Sequence, residues 1–226
     1  MAKELEPVLL RSIRKQSLYC RVNALKALCA FCSAQGVYSA FRFLARGEGT
    51  PIHEKVLVEA LLTHQYPGAL IGLLWQGFDH FAPAFQRAAI DYIRFQSGDY
   101  CQEMLRVLTD ETLDKEVRLS AIRYFGRYPY EPARQVLIDL VKNFDPVEWE
   151  YAAISASSLA RYYGGEVERV LTAALRSVNW YVRQNAAASL EAHGVSYGDL
   201  TDIVTGSDRY ARETLTYRLE TRRLKE

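Results

Sequence analysis

The chain has 226 residues, of which 49% are hydrophobic and 24% are charged. This composition is that of an ordinary folded protein, and it argues against a disordered chain. The formal net charge of +1 gives no global attraction to nucleic acid, so we do not expect nucleic acid to be the partner.

Signals of export and membrane insertion are not evident. Lys3, Glu4 and Glu6 stand where a signal peptide needs an apolar core. The longest apolar run, Ala69–Trp75, is far shorter than the ~20 residues that a membrane-spanning helix needs. Four cysteines lie in helical patterns, in a chain long enough to fold without disulfides: Cys20, Cys29, Cys32 and Cys101. We therefore expect a reducing, cytoplasmic location.

Charge is unevenly distributed along the chain. The first 47 residues hold eight Lys or Arg against Glu4 and Glu6, whereas residues 48–116 hold five cations and eleven acids. A first helix is predicted from about Glu4 to Lys15. Its basic end, at Arg11, Arg14 and Lys15, suits the inner face of a membrane, so a membrane surface is a candidate partner. Alternatively, the charges of the basic first 47 residues and of the acidic residues 48–116 lie on helix faces exposed to solvent.

One pattern recurs along the chain. An apolar residue, usually followed by a cation, precedes a small or apolar residue at +4 and a larger apolar residue at +8. These spacings place the side chains on one face of a helix. Intervals of 29 to 34 residues between the +4 positions predict seven amphipathic helices. The +4 positions are Ala24, Val58, Ala89, Ala121, Ser155, Ala186 and Leu215.

A shorter apolar helix is predicted before each of these helices. After the first, the shorter helices are Tyr38–Ala45, Ala69–Gln76, Tyr100–Leu108, Pro132–Val141, Val167–Arg176 and Tyr197–Val204. No segment shows the two-residue alternation that is typical of strands in hairpins. The sequence therefore predicts an all-α chain of two-helix units.

Capping residues agree with these helix boundaries. Ser17, Asp114, Asn179 and Asp208 are predicted N-caps, whose side chains accept hydrogen bonds from free backbone N–H groups. Asp145 is expected to start another helix, with Pro146 at its first position and Glu148 completing a capping box. Three glycines are expected to end helices in the left-handed conformation: Gly126, Gly164 and Gly194.

The sixth of the seven units carries the clearest family resemblance. Asn179–Leu190 combines an Asn cap, a Val-Arg pair and an Ala-rich run that closes on Leu, and it resembles the second helix of HEAT repeats. The resemblance covers nearly the whole chain, although three of the seven copies lack an apolar residue followed by Arg at this position. It implies a single domain over residues 1–226, an α-α superhelix of about seven helix pairs. Armadillo-like repeats are the alternative.

The same resemblance implies a function. HEAT arrays bind partners on the concave face lined by their second helices, so we expect a monomeric, non-catalytic scaffold for a protein partner. Side chains on these helices that lie at the edge of the helix seam, or point away from it, are the candidate contacts: Arg118, Arg123, Arg183, Gln184, Arg212 and Tyr217. The alternative role for the recurring arginines is structural, as a ladder that pairs with helix ends or acids.

Two other functions remain open. Trp149 and Trp180 are 31 residues apart, and Tyr151 and Tyr181 follow them, so they are candidates for an aromatic row near Arg183. HEAT-like alkylpurine DNA glycosylases use Trp and Arg in a concave groove, so an enzyme of that type, or of the phycobilin-lyase type, is one alternative. Aromatic side chains that seal the helix seams are the structural explanation. The cytoplasmic domain of a membrane-tethered protein is the second alternative.

Residues with catalytic chemistry give no complete site. Cys29 and Cys32 form a CxxC without nearby further ligands, so two small residues in a helix seam are the preferred interpretation. His53-Glu54 is a single His-Glu dipeptide, whereas the HEAT-like deoxyhypusine hydroxylase builds its di-iron site from several. Ser155, Ser157 and Ser158 lack a matching His and Asp arrangement. We expect neither a metal nor another cofactor.

Overall fold

The computed structural model describes residues 2–47, 51–196 and 198–223, and every regular element in these ranges is a helix. The all-α prediction is therefore confirmed for this part of the chain. The helices are α1 (Ala2–Ile13), α2 (Leu18–Phe31), α3 (Ala34–Ala45), α4 (Glu54–Leu61), α5 (Pro67–Gln76), α6 (Pro83–Gln96), α7 (Cys101–Thr109), α8 (Lys115–Arg127), α9 (Glu131–Lys142), α10 (Trp149–Ser158), α11 (Gly165–Ala174), α12 (Trp180–Ala192), α13 (Thr201–Val204) and α14 (Arg209–Arg223). Within those ranges, none is long and apolar enough to cross a bilayer.

The chain folds into two compact units. The first comprises Met1–Tyr100 with Asp110–Ser120, and the second comprises Cys101–Thr109 with Ala121–Glu226. In the first unit α2 packs on α4 and α4 on α6, while α1 packs on α3 and α3 on α5. In the second unit α10 packs on α12 and α12 on α14, while α9 packs on α11. Within each unit, alternate helices therefore lie side by side.

The +4 positions of the sequence pattern lie inside the even-numbered helices. All seven are buried: Ala24, Val58, Ala89, Ala121, Ser155, Ala186 and Leu215. Four of them are alanines, whose single methyl group lets neighbouring helix backbones approach closely. Larger side chains such as Leu28, Phe125 and Leu190 fill the core beside them. Each helix thus buries its apolar stripe against its neighbours, because one amphipathic helix pair cannot cover that stripe alone.

Polar side chains at equivalent positions of successive repeats join neighbouring even-numbered helices. The Ser158 hydroxyl donates to the Ile122 carbonyl at 3.0 Å, and the Ser189 hydroxyl donates to the Ala156 carbonyl at 2.7 Å. Each serine lies three residues after its +4 position, and each acceptor lies one residue after its own. A side-chain hydroxyl can use the second lone pair of a helical carbonyl, so the bond satisfies a buried polar group without opening the helix.

Other side chains make the same kind of contact. The Asn185 amide donates to the Ala153 carbonyl at 2.7 Å. His193 Nε2 lies 3.1 Å from the Leu159 carbonyl oxygen, also in the second unit. In the first unit, His64 Nδ1 lies 3.0 Å from the Cys29 carbonyl oxygen. His193 directly follows α12, so its ring ties the end of α12 to the end of α10.

Four predicted N-caps are confirmed. Ser17 accepts from the Cys20 N–H, Asp114 from the Glu116 N–H, Asn179 from the Tyr181 and Val182 N–H groups, and Asp208 from the Ala211 N–H. These side chains satisfy backbone donors that have no partner within the helix.

The predicted start at Asp145 is wrong. The helix begins at Trp149, and no side-chain cap bond forms at Glu148. Asp145 instead accepts from the Val147 N–H at 2.7 Å, a local Asx turn that competes with helix formation. Val147 is 81% exposed, so no burial pulls these residues into the helix.

The predicted glycine positions have three different outcomes. Gly194, with φ +79°, follows His193 at the end of α12, as predicted. Gly164 has φ +126°, but it precedes α11 rather than ending a helix. Gly126 lies inside α8, where a Cβ would come within 2.9 Å of Ser158 Oγ. Gly126 is therefore needed for close approach to Ser158, not for chain reversal.

The shorter predicted helices all overlap observed ones, with one large difference in length. The predicted helix Tyr197–Val204 is reduced to α13, and Tyr197 lies outside the described residues.

Gly126→Ala tests this close approach. We expect it to lower the free energy of unfolding by up to about 2 kcal/mol, because overpacking outweighs the better helix propensity of Ala. Gly72→Ala is the matched control, since Gly72 lies within α5 and a Cβ added there would meet no neighbouring atom within 4 Å. That control should gain about 0.5–1 kcal/mol. Denaturant unfolding measures both, and stabilisation by both substitutions would contradict the role given to Gly126.

Candidate interaction surface

Aromatic side chains, one half-buried and three exposed, mark the beginnings of the even-numbered helices in the second unit. Trp149 and Trp180 are the first residues of α10 and α12, and Tyr181 and Tyr210 are the second residues of α12 and α14. Trp180 and Tyr181 are each 54% exposed, and Tyr210 is 66% exposed. We call these four residues the aromatic edge.

Three rings of the aromatic edge contact one another, and one of these contacts joins two helices. Tyr181 stacks on Trp149 with ring centroids 5.0 Å apart and an interplanar angle of 17°. Trp180 meets Tyr181 edge-on at 4.9 Å. Offset stacking and edge-to-face contacts are favourable arrangements for aromatic pairs. The row predicted from Trp149 and Trp180 therefore exists, but its cross-helix partner is Tyr181. Tyr151, the fourth predicted member, is buried in the core.

Tyr210 was missed by the sequence analysis. It directly precedes the apolar residue that opens the repeat pattern in α14, as Tyr181 does in α12, so the repeat register contained the signal. Val147 and Val178, each 81% exposed, precede the two tryptophans at the same distance. These exposed apolar positions therefore recur with the repeat.

Arg183, one of the predicted contacts, lies mostly inside the protein. It is 8% exposed, and Nη1 donates to the Ser177 and Val178 carbonyls at 2.8 and 3.1 Å. Its guanidinium also lies 5.2 Å from the centroid of the Tyr210 ring, a cation–π contact. Arg183 thus ties the loop after α11 to α12 and holds one ring of the aromatic edge. The geometry favours the structural alternative for this arginine.

Arg212 makes the equivalent bond one repeat later. Its Nη1 donates to the Gly206 carbonyl at 2.8 Å, again six residues back and just beyond the preceding short helix. Arg212 is half-buried, so part of its side chain reaches solvent.

Gln184 and Tyr217 lie on adjacent helices, α12 and α14. Arg218 donates to the Gln184 side-chain oxygen at 3.4 Å, and Tyr217 is 64% exposed. Arg118 and Arg123 are half-buried on α8, on opposite sides of the division between the two units. The structure therefore brings Arg183, Gln184, Arg212 and Tyr217 onto one pair of helices.

The residues that could bind a metal or carry out redox chemistry do not form a site of that kind in the described part of the chain. Among the residues that the structure describes, no three His, Cys, Asp or Glu side chains are grouped to hold a metal ion. Cys29 and Cys32 are buried, and burial together with the neighbouring Cys32 raises the pKa of the Cys29 thiol to about 12. A thiol with so high a pKa is a poor nucleophile at neutral pH, because the thiolate is the reactive form.

Arg183→Ala tests whether Arg183 stabilises the fold. We expect it to lower the free energy of unfolding by roughly 1–3 kcal/mol, because two carbonyls lose their donor and Tyr210 loses its cation–π contact. Tyr217→Ala, at an exposed position, should change stability by less than about 0.5 kcal/mol. Thermal and urea unfolding give both values. An Arg183→Ala protein as stable as the wild type would show that its carbonyl contacts are dispensable.

Alkylation tests the environment of the cysteines. At pH 8 we expect iodoacetamide to modify the half-buried Cys20 and Cys101 well before Cys29, which is protonated and shielded. Mass spectrometry of timed samples ranks the sites, and unfolding in urea should remove the ranking. Fast labelling of Cys29 in the native protein would instead indicate an activated thiol.

No family model matches the chain, and no curated protein matches it.

Proposed function

We propose that this chain is a non-catalytic scaffold of the HEAT-like solenoid type that binds a protein partner through its even-numbered helices. Two features support the solenoid. Alternate helices lie side by side within each unit. In the second unit, Ser158 and Ser189 use the same repeat position to bond to the preceding even-numbered helix. Repeat proteins bury their apolar faces in this way, each repeat against its neighbours.

The aromatic edge is the observation that carries partner binding. Trp180, Tyr181 and Tyr210 keep more than half of their surface in water, although the core of the same unit is well filled. Trp, Tyr and Arg are the residues most enriched among those that dominate binding energy at protein interfaces. When a partner covers an exposed aromatic side chain, the burial of that large apolar surface contributes favourable free energy to binding.

The rings are also held in place before any partner arrives. Tyr181 stacks on Trp149, and Tyr210 lies under the guanidinium of the buried Arg183. Side chains that are already ordered lose less conformational entropy on association, which strengthens binding. In this proposal Arg183 acts indirectly, by positioning Tyr210.

Neighbouring polar groups complete the proposed surface. Tyr217 and Arg212 lie on α14 with Tyr210, and Gln184 lies on α12 with Trp180 and Tyr181. Aromatic contacts surrounded by polar groups are typical of protein–protein interfaces. Arg118 and Arg123 of α8 remain candidate partner contacts.

Affinity capture from native cell extract tests the proposal, with the Trp180→Ala/Tyr181→Ala/Tyr210→Ala protein compared against wild type. A partner recovered with wild type should be lost with the triple variant. Once that partner is purified, we expect its Kd to rise by roughly thirtyfold or more, the effect of removing one strong contact residue.

The matched control for this experiment is Tyr66→Ala/Tyr163→Ala, which removes two rings that are each 66% exposed but lie outside the aromatic edge. It should retain the partner. Equal loss in both variants would reject the aromatic edge as the contact surface.

The enzyme alternative needs its own measurement, because exposed Trp and Tyr rings can also stack on nucleobases. Release of free base from alkylated duplex DNA by wild type, abolished in the triple variant, would replace the scaffold by a glycosylase. No release is expected.

A further inference from the structure

A stretch of the first unit contains only one sign of charge. From Pro7 to Gly47 the chain has no Asp or Glu, whereas it carries seven cations: Arg11, Arg14, Lys15, Arg21, Lys26, Arg42 and Arg46. Arg21 is buried, and the other six are exposed. Six exposed like charges on α1 to α3 repel one another, so the arrangement favours an anionic partner.

Three acids of the first unit are engaged by groups other than these cations. Glu6 accepts from the Ser33 N–H and hydroxyl at 3.2 and 2.9 Å, which places its carboxylate at the start of α3. On α4, which packs on α2, Glu54 pairs with Arg87 and Glu59 lies 3.9 Å from Lys55. Within the described residues, none of the six exposed cations forms an ion pair.

Two exposed apolar side chains lie next to some of these cations along the chain. Leu18 and Tyr19, the first residues of α2, are 43% and 79% exposed. They follow Arg14 and Lys15 in the turn after α1, and Arg11 lies in the last turn of α1. We call these five residues the basic corner.

The exposed stripe of α2 extends this surface. Tyr19, Asn23 and Lys26 are separated by four and three residues, so they share one face of the helix, and all three are exposed. The stripe therefore carries an aromatic ring, an amide and a cation, without an acid.

We propose that the basic corner docks on an anionic membrane surface, with Leu18 and Tyr19 entering the headgroup region and the cations contacting lipid phosphates and carboxylates. Apolar side chains beside Lys and Arg are the combination that binds such interfaces, and Tyr is enriched at this depth. Each cation near an anionic bilayer surface strengthens binding by roughly fivefold.

Lipid fits these residues better than nucleic acid does. Leu18 gains free energy by leaving water for an acyl boundary, but it offers neither a ring for stacking nor a donor for a base. Membrane docking is independent of the scaffold proposal, because the aromatic edge lies in the other unit and the two surfaces share no residue.

Vesicle sedimentation tests the inference. Wild type should bind vesicles of phosphatidylcholine with about one third phosphatidylserine at low salt. It should bind pure phosphatidylcholine much more weakly, and it should be released as salt shortens the screening length from about 10 Å towards 3 Å. Arg11→Glu/Lys15→Glu/Lys26→Glu should weaken binding by at least about a hundredfold, the product of losing three such cations, because each glutamate also repels the anionic surface. Leu18→Ser/Tyr19→Ser should weaken binding while the salt dependence remains.

The control carries the same change of charge elsewhere. Arg161→Glu/Arg169→Glu/Arg176→Glu replaces three exposed arginines of the second unit, and it should bind like wild type. Circular dichroism and melting curves confirm that each variant is folded. Equal binding to both lipid mixtures, or equal loss in both charge variants, would overturn the inference. So would tighter binding of a duplex or single-stranded oligonucleotide than of the anionic vesicles.

Discussion

The contact on which the second unit most depends is a short hydrogen bond from one helix to the backbone of the preceding even-numbered helix. Ser158, Asn185 and Ser189 each donate to such a carbonyl at 3.0 Å or less. Bonds of this length require the two backbones to be close, which explains the alanines at the +4 positions and the glycine at 126. The same closeness aligns the starts of α10, α12 and α14, so that Trp149 and Tyr181 stack. The aromatic edge is thus a consequence of how the core is packed.

Periodicity is the part of the fold that could be predicted from the sequence. Spacings of four and eight place apolar side chains on one helical face whatever the neighbours are, and the seven +4 residues are accordingly buried. The helix boundaries that were wrongly predicted lie where a residue can adopt either of two local structures. Asp145 can cap a helix or close an Asx turn with nearly the same bond, and its neighbours are too exposed to favour the helix. Gly126 can end a helix or admit a neighbouring side chain, and only the position of Ser158 decides between them.

The repeat pattern also made part of the candidate surface predictable. The repeat register identified Trp149, Trp180 and Tyr181, and it contained Tyr210 as well. Register alone does not say how deep a long side chain lies. Arg183 and Arg212 occupy equivalent positions, yet one is buried and the other half-buried, because Tyr210 covers the first. Burial of this kind depends on the next helix, which a single sequence pattern does not place.

The bonds from Ser158, Asn185, Ser189 and His193 reach back only 32 to 36 residues along the chain. Contacts of such short range close small loops, which is entropically cheap and favours rapid, local folding. Because each repeat contacts only its neighbours, unfolding is cooperative mainly between adjacent helices. An end helix can therefore open while its neighbours stay formed. In the second unit α14 packs mainly against α12 and α13 among the described helices, so its amides should exchange with solvent hydrogen before those of α10 and α12. Tyr210 and Tyr217 would then belong to a segment that opens before the helices that carry Trp149, Trp180 and Tyr181.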